Sequence, residues 1–371
     1  MTETRAAVIE STGAPFTIDT ITLDEPRADE VVVRIVAAGL CHTDLVVQGG
    51  AIPFKFPGVL GHEGAGIVER VGSGVTKVKP GDKVLLSFTS CGRCVKCRAG
   101  HPAYCLEFVP RNLICGTRPD GSAPLHRGDE EIGGSFFGQS SFAEVALVTE
   151  RSVVKVADDL SDEDLSVIAP LGCGVQTGIG AIWNILKPEP GSTIAVFGNG
   201  AVGLSAIYAA SQTPDATIVA IDLVAERLET AREFGATHTV NASTQDVAEE
   251  LGKLTGGLGL DYAVETTGVP AVLKTAVLAL GVDGTCGVIG APSVAGAEVS
   301  LGVQDMLVGK KVIGITEGDS EPETLLPVLV ELYRSGSFPL RSIVAHYKLD
   351  EINAATDDMH HGKTIKPVIR L

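Results

Sequence analysis

The chain has 371 residues, more than one ordinary hydrophobic core organises, and a prior of about 100–200 residues per domain points to two. Hydrophobic residues make up 44% and charged residues 20%, which supplies a core and excludes a disordered or collagen-like chain. A formal charge of −17 repels phosphate backbones and anionic lipid, so neither nucleic acid nor membrane is an expected partner and an anionic ligand needs a local positive site.

The start, Met-Thr-Glu-Thr-Arg, lacks a basic segment followed by an apolar block, so no export or transit signal is expected and the location reads as cytoplasmic. Positions 30–39 and 64–71 are rich in Val, Ile and Ala with partial alternation between Gly and Pro clusters, which predicts a β-rich, barrel-like first portion. Positions 91–138 show little periodicity and much Gly, Pro, Cys and Asp, too long a stretch for a plain loop. Something other than hydrophobic burial has to hold it. From about residue 190, apolar strands at 193–198, 217–222, 261–265 and 284–290 alternate with helical patterns at 201–212, 224–234 and 270–280. Such alternation predicts a doubly wound parallel sheet. A helix-like run at 321–333 and strand-like runs at 343–349 and 366–371 close the chain and are expected to rejoin the first domain. The uncharged stretches 165–186 and 190–214 approach membrane-spanning length, but internal prolines and glycines make them poor spans.

Gly198-Asn199-Gly200-Ala201-Val202-Gly203 follows an apolar strand, opens a helix, and precedes Asp222, nineteen residues after Gly203 at the end of the next strand. Its glycines let the backbone approach a pyrophosphate at a helix N-terminus, and Asp222 can accept from an adenosine ribose hydroxyl. Cys91, Cys94, Cys97 and Cys105 fall within fifteen residues of the segment that lacks a hydrophobic reason to order. Four thiolates close a tetrahedral zinc shell with no open position, which predicts a structural site. Disulfides suit oxidising compartments, and a redox Cys-x-x-Cys needs a strand before it and a helix after. A zinc element for nucleic acid is opposed by the net charge. Cys115 and Cys286 read as small buried hydrophobes. Cys41, His62 and Cys173 are too far apart in sequence for spacing alone to join them.

Gly61-His62-Glu63-Gly64-Ala65-Gly66, followed by Gly72 and Val75, resembles the zinc motif of the medium-chain zinc-dependent alcohol dehydrogenases. The four-cysteine lobe, Val78-Lys79-Pro80-Gly81-Asp82 and the cofactor loop follow in that family's order, so the resemblance covers essentially the whole chain. Cys41-His42-Thr43-Asp44 and Phe136-Phe137-Gly138-Gln139-Ser140-Ser141-Phe142 are most similar to the bacterial aryl-alcohol, or benzyl-alcohol, members. The implied fold is a Rossmann domain at 175–316 and a discontinuous, β-rich, GroES-like catalytic domain at 1–174 and 317–371. The implied cofactors are NAD and two zinc ions.

By this resemblance Cys41, His62 and Cys173 hold a catalytic zinc, with Glu63 behind it and Asp44 orienting the histidine. Thr43 passes the substrate proton toward the ribose. Gly198, Gly200, Val202, Gly203, Asp222, Arg227, His42, Thr177 and Lys366 contact the dinucleotide. Phe88 and Phe136 line the substrate pocket. The implied activity is oxidation of a primary alcohol, aryl or allylic, to the aldehyde, with oxidation of a thiol adduct of formaldehyde or general alcohol oxidation as the alternative. A homotetramer is expected ahead of a homodimer.

Overall fold

A computed structural model of the chain describes residues 2–114 and 116–371. The chain divides into two compact units, one running to Cys173 and resuming at Glu321–Leu371, the other Gly174–Ser320. Sequence places the second boundary at 316/317, four residues earlier. Residues 317–320 stay with the second unit because Gln176 Nε2 donates to Glu317 Oε2 at 3.1 Å and Asn184 Nδ2 to the Gly318 carbonyl at 3.0 Å.

The first unit carries two sheets. Five strands, in the order Gly58–Val59, Thr2–Ile9, Phe16–Leu23, Leu125–Arg127 and Glu130–Ile132, pair antiparallel throughout. In the seven-stranded sheet, Glu30–Gly39 pairs with Gly64–Val71, Val145–Thr149 and Lys366–Arg370. Its run of Val, Ile and Ala is buried on both faces except at Arg34, as a central strand requires. The last strand therefore returns to the first unit, and pairing of Val368 with Gly39 carries Lys366 past the end of Glu30–Gly39. Phe16, Phe88, Phe136 and Phe142 are buried in the core of this unit.

The second unit holds six parallel strands in the order His238–Asn241, Thr217–Asp222, Thr193–Phe197, Leu260–Glu265, Leu280–Val288 and Lys311–Gly314. Numbered along the chain this is 3-2-1-4-5-6, the doubly wound order whose reversal lies beside the strand leading into Gly198. Helices Ala201–Ser211, Ala225–Glu233, Val247–Leu254 and Pro270–Ala279 alternate with the strands, and Pro270 occupies the first turn of the last, where its missing N–H costs no bond. Cys286 is fully buried in strand Leu280–Val288. Cys115 lies outside the described residues. Among the described residues no single helix is long and apolar enough to cross a membrane.

Candidate active site

Helix His42–Gln48 follows directly on Cys41, and the buried Asp44 carboxylate ties the turn together. Its Oδ2 accepts from the Cys41 amide at 2.9 Å, while Oδ1 accepts from the Gly61 amide at 3.0 Å and from His62 Nδ1 at 3.1 Å. With Nδ1–H committed to Asp44, the lone pair of the imidazole is on Nε2. Gly61 permits this approach, because its φ is +89° and a Cβ there would lie 2.6 Å from the Phe142 amide nitrogen. Cys173 arrives from the turn Ala169–Gly172. Gly172 packs so tightly that a Cβ would sit 2.0 Å from the Leu86 carbonyl oxygen, and Ser87 Oγ donates to the Gly172 carbonyl at 2.7 Å.

These contacts bring one ligand atom each from Cys41, His62, Glu63 and Cys173 within 4.8 Å of one another. The set fits zinc: two sulfurs, an imidazole nitrogen and a carboxylate are its usual donors. His62 Nε2, moreover, is buried without a hydrogen-bond partner among the described residues, and a metal would satisfy it. The Cys173 sulfhydryl, together with the charges of His62 and Lys366, holds the Cys41 thiol well below its ordinary value against the opposing effect of burial. Burial also opposes charge on His62, yet without a metal Asp44 and Cys41 favour the protonated ring and hold its pKa well above the usual range, so a metal at Nε2 would take the place of that proton. The half-buried Thr43 hydroxyl lies 3.8 Å from Cys41 Sγ.

Cys91, Cys94, Cys97 and Cys105 form a second cluster with sulfurs within 4.8 Å of one another. The Cys94–Cys97 and Cys91–Cys97 separations of 3.5 and 4.0 Å bracket the roughly 3.8 Å edge of a tetrahedron with zinc–sulfur bonds of about 2.3 Å. Backbone amides of Cys91, Cys94, Cys97 and Glu107 point at the sulfurs at 3.3–3.5 Å. Such donors favour thiolates. The amides of Cys97 and Leu106 lower Cys94 to about 6, whereas burial pushes Cys105 up to about 12.

In the second unit, the turn after strand Thr193–Phe197 holds Gly198 at φ +89°. A Cβ on Gly203 would lie 1.9 Å from the Gly198 carbonyl oxygen, so the helix packs against its own loop only with glycine there. Gly200 is different: a Cβ there would meet nothing within 4 Å. Asn199 is fully buried, and neither its side-chain oxygen nor its nitrogen has a partner among the described residues. Open space at a helix start beside an orphaned amide fits a dinucleotide. Asp222 stands at the end of strand Thr217–Asp222, where it accepts from the Asn199 amide at 2.6 Å and the Val224 amide at 3.0 Å. Arg227 Nε is likewise buried without a partner among the described residues.

The comparisons agree with this chemistry. Residues 27–158 match the model of the alcohol dehydrogenase GroES-like domain, and residues 201–331 that of the zinc-binding dehydrogenases. Geraniol dehydrogenase of Castellaniella defragrans is 40% identical over 367 residues, covering 98% of this chain and 97% of that protein. The chain belongs to the medium-chain zinc-dependent alcohol dehydrogenases. Among solved structures, an alcohol dehydrogenase zinc-binding domain protein from Burkholderia ambifaria superposes with a TM-score of 0.94 at 46% identity over 100% of this chain and 99% of that one. Benzyl alcohol dehydrogenase from Acinetobacter calcoaceticus gives 0.94 at 43% identity, over 100% of both chains. As a member of this family the dehydrogenase takes NAD and zinc, and among the described residues there are two potential metal sites, one catalytic in type and one structural.

Not every residue that sequence assigns to the site stands where expected. Lys366, expected at the dinucleotide, is 3% exposed, and its ammonium donates to the Leu40 carbonyl at 3.1 Å and to Glu63 Oε1 and Oε2 at 3.0 and 2.8 Å. All three of its protons are thereby used. Burial opposes the charge, but the Glu63 carboxylate raises the ammonium above its ordinary range. Gly39 makes room for the pair, since a Cβ there would fall 2.0 Å from Glu63 Oε2. Phe88 and Phe136, expected to line the pocket, are 2% and 0% exposed. Phe88 packs on Phe108 at 5.7 Å, and Phe136 sets its ring edge-on to His62 at 5.3 Å. Both belong to the core, and of the two it is Phe136 that meets the ring of His62. His42 is exposed and Thr177 buried in helix Gly174–Gly180.

Sequence reasoning missed Gln139. Its Nε2 donates to the carbonyls of His62 at 2.9 Å and Ser87 at 3.1 Å, and its Oε1 accepts from the Gly64 amide at 3.1 Å. The side chain thus fixes the backbone on both sides of Glu63. It falls within a phenylalanine-rich motif visible in the sequence, but its distant partners are not.

Proposed function

We propose that the enzyme oxidises a primary alcohol of the aryl or allylic type, with benzyl alcohol as the type case, to its aldehyde and transfers the hydride to NAD. The observation carrying this reading is the buried Cys41–His62–Cys173 cluster with the Thr43 hydroxyl beside it and the rings of Phe136 and Phe137 against His62. The relatives named for benzyl alcohol and geraniol support the substrate class.

Zinc held by Cys41, His62 and Cys173 supplies the Lewis acidity that lowers the pKa of an alcohol hydroxyl, and NAD accepts the hydride. Asp44 fixes the tautomer and direction of His62. Thr43, half-buried, takes the hydroxyl proton. Val46, buried on the same helix, has no proton-carrying group, so the path beyond Thr43 gains no side-chain base from that position. Glu63 and Lys366 neutralise one another next to the two thiolates. Asp222 accepts from the adenosine ribose in this reading, supported by its position at the end of strand Thr217–Asp222.

Initial rates with NAD across benzyl alcohol, an allylic alcohol, ethanol and the thiol adduct of formaldehyde test the reading. A kcat/KM for benzyl or allylic alcohol well above that for ethanol is expected. Equal values for ethanol and benzyl alcohol, or a preference for the thiol adduct, would reject it.

A further inference from the structure

The imidazole of His62 is held by more than its hydrogen bond to Asp44. Phe137 lies flat against it, ring centroids 4.5 Å apart at an interplanar angle of 24°, while Phe136 closes one edge at 5.3 Å and 89°. The two phenylalanines meet at 5.0 Å, and Phe54 and Phe108 support them from outside at 5.6 and 6.2 Å. A single hydrogen bond at Nδ1 fixes one point of the ring. It leaves the tilt of the ring plane, and hence the direction of the Nε2 lone pair, free to swing about that point.

The backbone that presents Phe137 is unusual. Phe137 has φ +52° and ψ +29°, and Ser135 and Ser140, on either side, have φ of +57° and +49°. Left-handed backbone at a bulky aromatic residue is disfavoured and persists only where surrounding contacts over-determine it. Here they do. Ser152 Oγ donates to the Phe137 carbonyl at 3.0 Å, Ser140 Oγ accepts from the Phe136 amide at 2.9 Å and donates to the Val59 carbonyl at 2.8 Å, and Gln139 ties the same segment to the His62 carbonyl. The strained segment is thus fastened both to the ligand's backbone and to the face of its ring.

We propose that Phe137 is a positioning residue for the catalytic metal: its ring sets the plane of the His62 imidazole and so aims Nε2 at the sulfurs of Cys41 and Cys173. The proposal rests on His62 being a zinc ligand. An aromatic contact of this kind corresponds to a change of about 2- to 10-fold in an equilibrium, which sets the expected size of the effect. Phe137→Leu keeps an apolar group of similar size but removes the flat face; Phe137→Tyr restores the face.

The test uses full-length protein loaded with cobalt(II) at both sites, so that a difference spectrum against wild type reports only the altered site, together with the rate at which a chelator removes each zinc. Phe137→Leu should shift the visible cobalt bands and speed release of one of the two metals about 2- to 10-fold, with Phe137→Tyr close to wild type. Circular dichroism of the same samples separates a lost fold from a tilted ligand. Wild-type bands and release in folded Phe137→Leu would overturn the proposal, as would a Phe137→Tyr protein perturbed as much as Phe137→Leu. His62→Gln is the control for the underlying reading: unchanged bands there would remove His62 from the ligand set, and the proposal with it.

Discussion

Asp44→Asn tests how the site is built, because one buried carboxylate holds three parts of it. Its oxygens accept from the amides of Cys41 and Gly61 and from His62 Nδ1 at 2.9, 3.0 and 3.1 Å. Asparagine fills nearly the same volume with one acceptor oxygen and one donor NH2. If the NH2 takes the place of Oδ2, it opposes the Cys41 amide. If it takes the place of Oδ1, it opposes both the Gly61 amide and His62 Nδ1–H. Either orientation leaves at least one buried donor unpaired, at about 1–3 kcal/mol. The second orientation also releases the imidazole to the tautomer that is protonated on Nε2 and cannot ligate. Loss of such an orienting group lowers metal affinity about 10- to 100-fold, or about 1.4–2.8 kcal/mol. Competition with a calibrated chelator should show that loss for one of two zinc ions, with the four-cysteine site unaffected. A folded Asp44→Asn protein with wild-type affinity at both sites would refute the reasoning.

Removing Lys366 alone should cost more than removing the pair: Lys366→Met takes the ammonium away from the buried Glu63 carboxylate, a loss of about 3–5 kcal/mol, while Lys366→Met with Glu63→Gln recovers much of it, and equal thermal midpoints for single and double variants would contradict this. Wild type should prefer NAD to NADP in kcat/KM, since Asp222 repels a 2′-phosphate and Leu223, 66% exposed beside it, offers no cation; Asp222→Ala should narrow the ratio chiefly through KM, and an unchanged ratio would show the residue misassigned. Burial works to raise the pKa of Asp82, but the Lys155 ammonium at 2.7 Å and the Lys79 amide at 3.0 Å outweigh it and hold the carboxyl below its ordinary range. A depressed folded-state value stabilises the fold above the unfolded pKa of about 3.9, so the advantage of wild type over Asp82→Asn in thermal midpoint should be constant near neutrality and fade as pH falls below about 4. An advantage independent of pH would contradict the ion pair.

Legibility followed the physics of each element. The second unit's strands are short apolar runs separated by helices, so their period and the Gly198–Gly203 turn are local and readable; the parallel sheet emerged as expected. His238–Asn241, Val247–Leu254 and Lys311–Gly314 escaped the reading, the first being a short polar strand and the last an exposed one. Thr2–Ile9 and Phe16–Leu23 pair over eight residues, yet Phe16–Leu23 alternates threonine with apolar residues and carries Asp19, which blurs its pattern. The four-cysteine lobe was legible because its ligands lie close along the chain. The catalytic cluster was not, except by resemblance. Lys366 lies 303 residues from Glu63, and it is the return of the last strand beside Glu30–Gly39, invisible in the local sequence, that brings the two into a buried ion pair. Phe136 and Phe137 were visible as a motif, but the left-handed backbone that turns them onto His62 has no sequence signal, since neither is glycine.

Metal analysis coupled to alcohol oxidation tests the central claim, that two zinc ions serve one chain in unequal roles. Wild type should carry two equivalents; Cys173→Ala should carry one, keep its circular dichroism, and lose oxidation of benzyl alcohol with NAD. Full activity with a single zinc per chain, or two zinc ions retained in an inactive Cys173→Ala protein, would contradict the account.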